Sequence, residues 1–303
     1  MQLDSTIAPQ QTQPCSIALG YFDGVHIGHR DVISAAVSYA NQNNCLPAVF
    51  TFALSPQSKV KGSRILSEQE KLRRLQQLGI VRCFEPPFED IRQMTPQQFV
   101  QQYLKEHCGA QAVFCGENFT FGKDKAGTIE VLKTLCTECG IHLQVVPISW
   151  QGGAPVASTR IRGLLEQGDI PAANTLLAQR YCVDAVIQHG AGNGKVWGFP
   201  TINQVFAPGM LIPKHGVYIT KVQLQDGTHL PGATGLGTRP TVSGEGVTCE
   251  TFLPGYEGDL YGQTVRVEFC KYLKPTVKFD SVDELKEYVF SAAQAALDYF
   301  KQN

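Results

Sequence analysis

Along residues 16–177, short apolar or β-branched runs alternate with longer segments whose apolar positions recur every three or four residues. The runs at 16–19, 47–52, 81–84, 112–115 and 143–148 are of strand length, and the stretches between them suit helices. Alternation of this kind predicts an α/β module with helices packed on a sheet. One helix is expected over 68–78, where Leu72, Leu75 and Leu78 fall at spacing three beside Lys71, Arg73 and Arg74, giving one buried and one wet face. Another is expected over 31–42. Beyond Ala178 glycines and prolines become frequent, and the period shortens to two in VDAVIQ, GVYITKVQL, TCETFL and VRVEFCKYL. That is the pattern of an antiparallel sheet closing into a small barrel. A C-terminal helix follows from Ser281 and Glu284, a capping box ahead of the apolar positions Leu285, Val289, Ala296 and Phe300.

The change of period divides the chain into modules at 1–180 and 181–303, in keeping with its 303 residues. A composition of 43% hydrophobic and 17% charged residues supplies both cores. The net charge of −1 provides no general attraction to nucleic acid or to an anionic membrane, so any phosphate must be held locally. No apolar run reaches the roughly 18 residues of a membrane span, and the N-terminal stretch lacks an export pattern, so the expected location is the cytoplasm. Ten scattered cysteines are accordingly expected as free thiols. Cys136 and Cys139 form a CxxC without the second ligand pair that zinc requires, and are read as half-buried thiols on a helix.

The densest chemical signal is GYFDGVHIGHR at 20–30, between the first strand and the first long helix, where α/β sheets bind ligands. Gly20, Gly24 and Gly28 let the backbone approach an anion, and the helix start offers unpaired N–H groups to phosphate. His26 and His29 lie within one turn and can donate hydrogen bonds to phosphate oxygens as charge builds up during group transfer. Helix capping or metal binding are the alternatives for this pair, and the surrounding glycines and Asp23 favour phosphate. In the second module the glycine-rich stretch GAGNGKVWGFPTINQ at 190–204 can wrap phosphates with main-chain N–H groups. Thr201 and Asn203, two residues apart on an extended segment, present oxygens on one face to a Mg²⁺ carried by ATP.

These stretches carry a resemblance. GYFDGVHIGH resembles the adenylyltransferase signature of bifunctional riboflavin kinase/FAD synthetases, and its HxGH core is similar to that of the wider nucleotidyltransferase superfamily. GENFTFGKDKAG at 116–127 and VASTRIR at 156–162 resemble two further elements of that module, and GKVWGFPTIN, GVYIT, GTRPT and CETFLPGYEGDLYG resemble the kinase motifs, all in the family's order. The resemblance implies a Rossmann-like HxGH nucleotidyltransferase domain followed by the antiparallel barrel and its C-terminal helix. It implies that Gly20, Phe22, Asp23, Gly24, Gly28, Asn118, Gly122, Ser158, Thr159 and Arg162 bind nucleotide in the first module, with His26 and His29 catalytic and Phe119 and Phe121 on the flavin side. In the second it implies that Gly194, Lys195, Gly198 and Pro200 bind nucleotide, that Thr201 and Asn203 meet the metal, and that Glu250 is the base. Such a base has a physical task, since a primary alcohol must lose its proton as it attacks the γ-phosphate.

The expected activities are phosphorylation of riboflavin to FMN and adenylylation of FMN to FAD, with ATP as donor and Mg²⁺ entering as MgATP. The expected ligands are ATP, riboflavin, FMN and FAD. A single-function FAD synthetase with a flavin-holding barrel, and a non-catalytic flavin-binding regulator, are the alternative readings.

Overall fold

The computed structural model describes residues 1–6, 13–54, 63–190, 194, 197–241 and 244–302, with backbone alone at 238–241 and 244–246. The chain forms two compact units, Met1–Gly62 with Glu68–Ala157, and Ser63–Ser67 with Ser158–Asn303.

The first unit is built on six parallel strands: β1 (Gln2–Asp4), β2 (Cys15–Leu19), β3 (Leu46–Phe50), β4 (Arg82–Phe84), β5 (Ala110–Gly116) and β6 (His142–Val146), in the order β1-β4-β3-β2-β5-β6. β2 reads CSIAL with every residue buried, as a central strand covered on both faces requires. Connections run from β2 toward β3 on one side, while β5 lies on the other, so the carboxyl end of β2 is a topological switch point. Helix α1 (Ile27–Asn43) leaves from there, starting four residues before the position its apolar periodicity marks.

Helix α2 (Glu68–Gln77) departs from the expected wet face. Leu75 is buried, but so are Glu70, Lys71 and Arg74. Arg74 Nε donates to Glu70 Oε1 at 2.6 Å, Arg73 grips the same carboxylate, and Lys71 Nζ donates to Glu85 Oε1 at 2.5 Å. Charges of both signs enter the interior together because each is paired there. Short helices α3 (Phe88–Ile91) and α4 (Pro96–Gln98) follow, the latter running into a π-helix at Phe99–His107, and α5 (Ile129–Glu138) carries Cys136 into the core. A hairpin of β7 (Trp150–Gln151) and β8 (Ala154–Pro155) closes this unit.

In the second unit α6 (Ser158–Gln167) and α7 (Ile170–Leu177), which the change of period groups with the first module, pack with the β-rich half. Asn174 of α7 spans both Tyr181 N–H and the Phe269 carbonyl. Six antiparallel strands follow: β9 (Cys182–Val186), β10 (Thr201–Val205), β11 (Gly216–Gln223), β12 (His229–Thr241), β13 (Gly244–Phe252) and β14 (Thr264–Lys274), in the order β10-β13-β12-β11-β14-β9. The two edge strands meet where Gln188 N–H donates to the Asn203 carbonyl at 2.8 Å, so the sheet nearly closes. Tyr218, Val222, Leu236, Cys249, Val265, Val267 and Phe269 fill the inside, with hydroxyls of Thr220, Thr234 and Thr251 joined in a buried chain. Helix α8 (Val282–Gln302) covers an outer face through Ala292 and Ala293 against Phe199, Ala233 and Phe252. All ten cysteines are free thiols.

Candidate active sites

At the end of β2 the chain turns through Phe22 (φ 55°), Gly24 (φ 91°) and Val25 (φ 45°), three left-handed residues within four. Two of them have side chains, a cost that sites holding a ligand commonly carry. Phe22 and Asp23 are buried, and the Val25 carbonyl accepts from Arg30 Nε. His26 is the residue that caps α1: its Nδ1 accepts the backbone N–H of His29 at 3.3 Å. The capping alternative therefore holds for His26, and it fixes the tautomer, because a ring that accepts at Nδ1 carries its proton on Nε2. His29 stacks on His26 with centroids 3.5 Å apart and an interplanar angle of 16°, and the edge of Phe22 meets it at 5.3 Å. Burial pulls His26 down to about 4, and burial reinforced by the neighbouring His26 holds His29 well below the usual imidazole range. Both rings are therefore neutral near pH 7, each with one N–H to give. His29 Nδ1 is buried with no hydrogen-bond partner.

The depressed histidines have a consequence for stability. The unfolded chain binds a proton at His26 below about 6.5, and the folded chain resists doing so until about 4. Stability from this group is full above 6.5 and is lost as pH falls toward 4, by up to about 3 kcal/mol. Denaturant titrations at pH 7, 5.5 and 4.5 should show this loss, and His26→Asn should reduce it to the part that His29 contributes; parallel curves for the two proteins would refute the assignment.

The loop after β5 places Asn118 in solvent, with Gly122 against Pro96. Phe121 is a core residue, 7% exposed and packed on Phe99, and a Cβ at Gly127 would fall 2.5 Å from its ring. Phe119, half-buried, stacks on Phe121 at 5.8 Å and is the more available of the two. Ser158 and Thr159 lie within the first turn of α6, and Arg162 Nε donates to the Ser63 carbonyl at 2.8 Å within the second unit.

In the second unit Asn203 on β10 is the direct cross-strand partner of Glu250 on β13. Opposite residues of an antiparallel pair share a face, and Thr201, two residues along, shares it too. Asn203 Nδ2 donates to the Thr201 carbonyl at 3.2 Å, and Thr248, on the same face, comes within 3.5 Å of Glu250 Oε1. On its other side Glu250 is paired with Gly235 of β12. Phe199, Phe252 and Phe290 form an aromatic edge nearby, with Phe290 45% exposed. Gly235 and Phe290 lie outside the quoted motifs, and Phe252, inside CETFLPGYEGDLYG, was given no role there although the period of two places it beside Glu250.

Gly194 is tied to this face by Phe199 N–H donating to its carbonyl, and Gly198 and Pro200 are exposed, whereas Lys195 lies outside the described residues. A Cβ at Gly190 would stand 2.7 Å from Asn203 Nδ2. Gly190→Ala is therefore expected to displace the Asn203 carboxamide and, with Asn203 in the role the resemblance implies, to raise the KM for MgATP several-fold in steady-state assays while the KM of the second substrate is unchanged. Among the described residues no cluster of three or more histidine, cysteine or acidic groups is placed to hold a metal ion, and no helix is long and apolar enough to cross a membrane.

A switch-point loop with two imidazoles thus stands in the first unit and a barrel carrying a Thr/Asn/Glu face in the second. The FAD synthetase family model matches residues 8–160 and the riboflavin kinase model matches 177–300. Proteins described as bifunctional riboflavin kinase/FMN adenylyltransferase are similar over nearly the whole chain. That of Bacillus subtilis (strain 168) is 30% identical over 299 residues, 94% of this chain and 92% of the relative. That of Escherichia coli (strain K12) is 30% identical over 301 residues, 97% and 94% of the two chains. A crystal structure described as a macrolide-efflux protein from Streptococcus pneumoniae superposes with a TM-score of 0.86 at 27% identity, covering 97% of each chain. The chain belongs to the bifunctional riboflavin kinase/FMN adenylyltransferase family.

Proposed function

We propose that the chain makes flavin cofactors by two ATP-dependent transfers, one in each module. In the barrel Glu250 takes the proton of the ribityl 5′-hydroxyl of riboflavin as that oxygen bonds to the γ-phosphorus of ATP. The bond from the γ-phosphorus to the bridging oxygen breaks, and FMN and ADP result. In the α/β module an FMN phosphate oxygen bonds to the α-phosphorus of a second ATP, the bond to the bridging oxygen breaks, and FAD and pyrophosphate are released. His26 Nε2–H and His29 act there as neutral donors to the phosphate oxygens, and the main-chain N–H groups at the start of α1 add to the field.

Thr201 and Asn203 supply two neutral oxygens and no charge, a donor set too poor for a resident divalent cation but suited to Mg²⁺ that arrives already bound to nucleotide phosphates. When bound, the ion would offset charge on the transferring phosphoryl group. The free thiols fit a cytoplasmic location, where glutathione keeps cysteines reduced.

The observation that carries the kinase reading is the cross-strand pairing of Asn203 with Glu250. Incubating the purified chain with riboflavin and MgATP, and following FMN, FAD, ADP and pyrophosphate over time, tests both halves. FMN must appear before FAD. Conversion of added FMN to FAD without any FMN from riboflavin would instead favour a single-function synthetase, and no turnover of ATP would favour a regulator.

A further inference from the structure

The barrel's weakest line runs beside the kinase site. Its sheet begins at β10 and ends at β9, so these two strands must meet without a regular ladder. Among the described residues one backbone bond crosses there, from Gln188 N–H to the carbonyl of Asn203, the residue paired with Glu250. The other link is a side chain. Gln204 Nε2 donates both of its hydrogens, to the Ala185 carbonyl at 2.7 Å and to the Val265 carbonyl at 2.6 Å. Ala185 and Val265 are themselves cross-strand partners on β9 and β14, so a single amide joins β10 to both strands beyond the seam.

Gln204 is wholly buried, and its Oε1 has no hydrogen-bond partner. An interior amide with an orphaned oxygen carries a desolvation cost that a leucine of similar size would not, so stability alone does not account for it. Its position does. Along β10 the Gln204 side chain points inward and that of Asn203 outward, so the clamp and the MgATP-facing carboxamide are adjacent residues on opposite faces. The glycine-rich stretch joins β9 to β10 across the same seam, and it begins at Gly190, which lies against Asn203.

We propose that Gln204 is a positioning residue of the kinase site, whose amide holds the barrel seam shut and so fixes Asn203 relative to Gly190 and Glu250. The proposal rests on the assignment of Thr201, Asn203 and Glu250 to phosphoryl transfer. Opening the seam carries Asn203 away from the start of the glycine-rich stretch and weakens the hold on MgATP, while riboflavin is little affected.

Gln204→Leu and Gln204→Met in the full chain test this, with the methionine variant guarding against a misfit of the branched side chain. Three quantities are read: calorimetric affinity for MgADP, hydrogen exchange at the Gln188 amide, and the separate KM and kcat values of FMN formation. The expected result is MgADP affinity and KM for MgATP each weakened roughly tenfold, faster exchange at Gln188, an unlowered melting temperature and unchanged conversion of FMN to FAD. Wild-type MgADP affinity in both variants overturns the proposal, as does a lowered melting temperature with kcat reduced at constant KM. Failure of the wild-type chain to form FMN would instead count against the kinase assignment, and the MgADP and exchange readouts would still report on the clamp.

Discussion

Replacing Glu250 with alanine is expected to lower the rate of FMN formation by roughly 10²–10⁴-fold, the range associated with loss of a positioned general base. Conversion of added FMN to FAD should proceed at the wild-type rate. The large effect follows from geometry. Glu250 shares its sheet face with Asn203 and Thr201 and is paired on its other side with Gly235 of β12. A small structural cost is expected because the side chain is half-exposed. Glu250→Gln keeps the shape, cannot take the proton, and should be as inactive as alanine. A chromatographic time course from riboflavin and a second from FMN, run on each protein, decide the matter. An alanine variant that still makes FMN at more than a tenth of the normal rate would remove Glu250 from the role of base, and equal loss of both reactions would point to a folding defect.

How much of this was legible in the sequence depends on whether an interaction is local. The parallel sheet, the barrel and the closing helix were readable because period and turn residues act over a few positions; the five strands marked in the first module lie within two residues of the expected ends, whereas β1 and β12 were not expected and β13 starts four residues ahead of TCETFL. Helix α2 was misread because its polar side is paired with groups that no local pattern reveals. Lys71 finds Glu85 fourteen residues away, after a strand has intervened. The early start of α1 was hidden for a different reason: a histidine is a weak sequence signal for a cap, and only the His26 Nδ1 contact with the His29 amide makes it one. Phe121, expected on the flavin side, lies in the core, its ring held by Phe99 and by the bare Cα of Gly127. In the barrel the motifs gave Thr201, Asn203 and Glu250 separately. Their convergence is a matter of register, and Gln204 could be understood only once β9 and β14 were known to lie across the seam.

His26→Asn is expected to reduce FMN adenylylation by about 10²–10³-fold, comparable to removing one preorganised donor from a transition-state oxyanion, while phosphorylation of riboflavin continues unchanged. Asparagine is chosen because it separates the two tasks of this residue. Its side-chain oxygen can still accept the His29 amide and start the helix, so α1 should form normally, but it has no N–H where the imidazole placed Nε2. His26→Ala removes both and should cost about 1 kcal/mol of stability in addition, so the asparagine variant isolates the chemistry. The stacking of the two rings makes a further distinction possible. His29 loses its 3.5 Å neighbour in either variant, and with it the repulsion that adds to burial in holding its proton affinity down. The His29 ring should therefore titrate higher in His26→Asn than in the wild type, as an NMR titration of the ring protons would record. Unchanged adenylylation in the asparagine variant would leave His26 as a helix cap and nothing more. A lost activity accompanied by a melted α1, read from amide exchange along Ile27–Asn43, would mean that the cap and not the Nε2 proton was what the reaction needed.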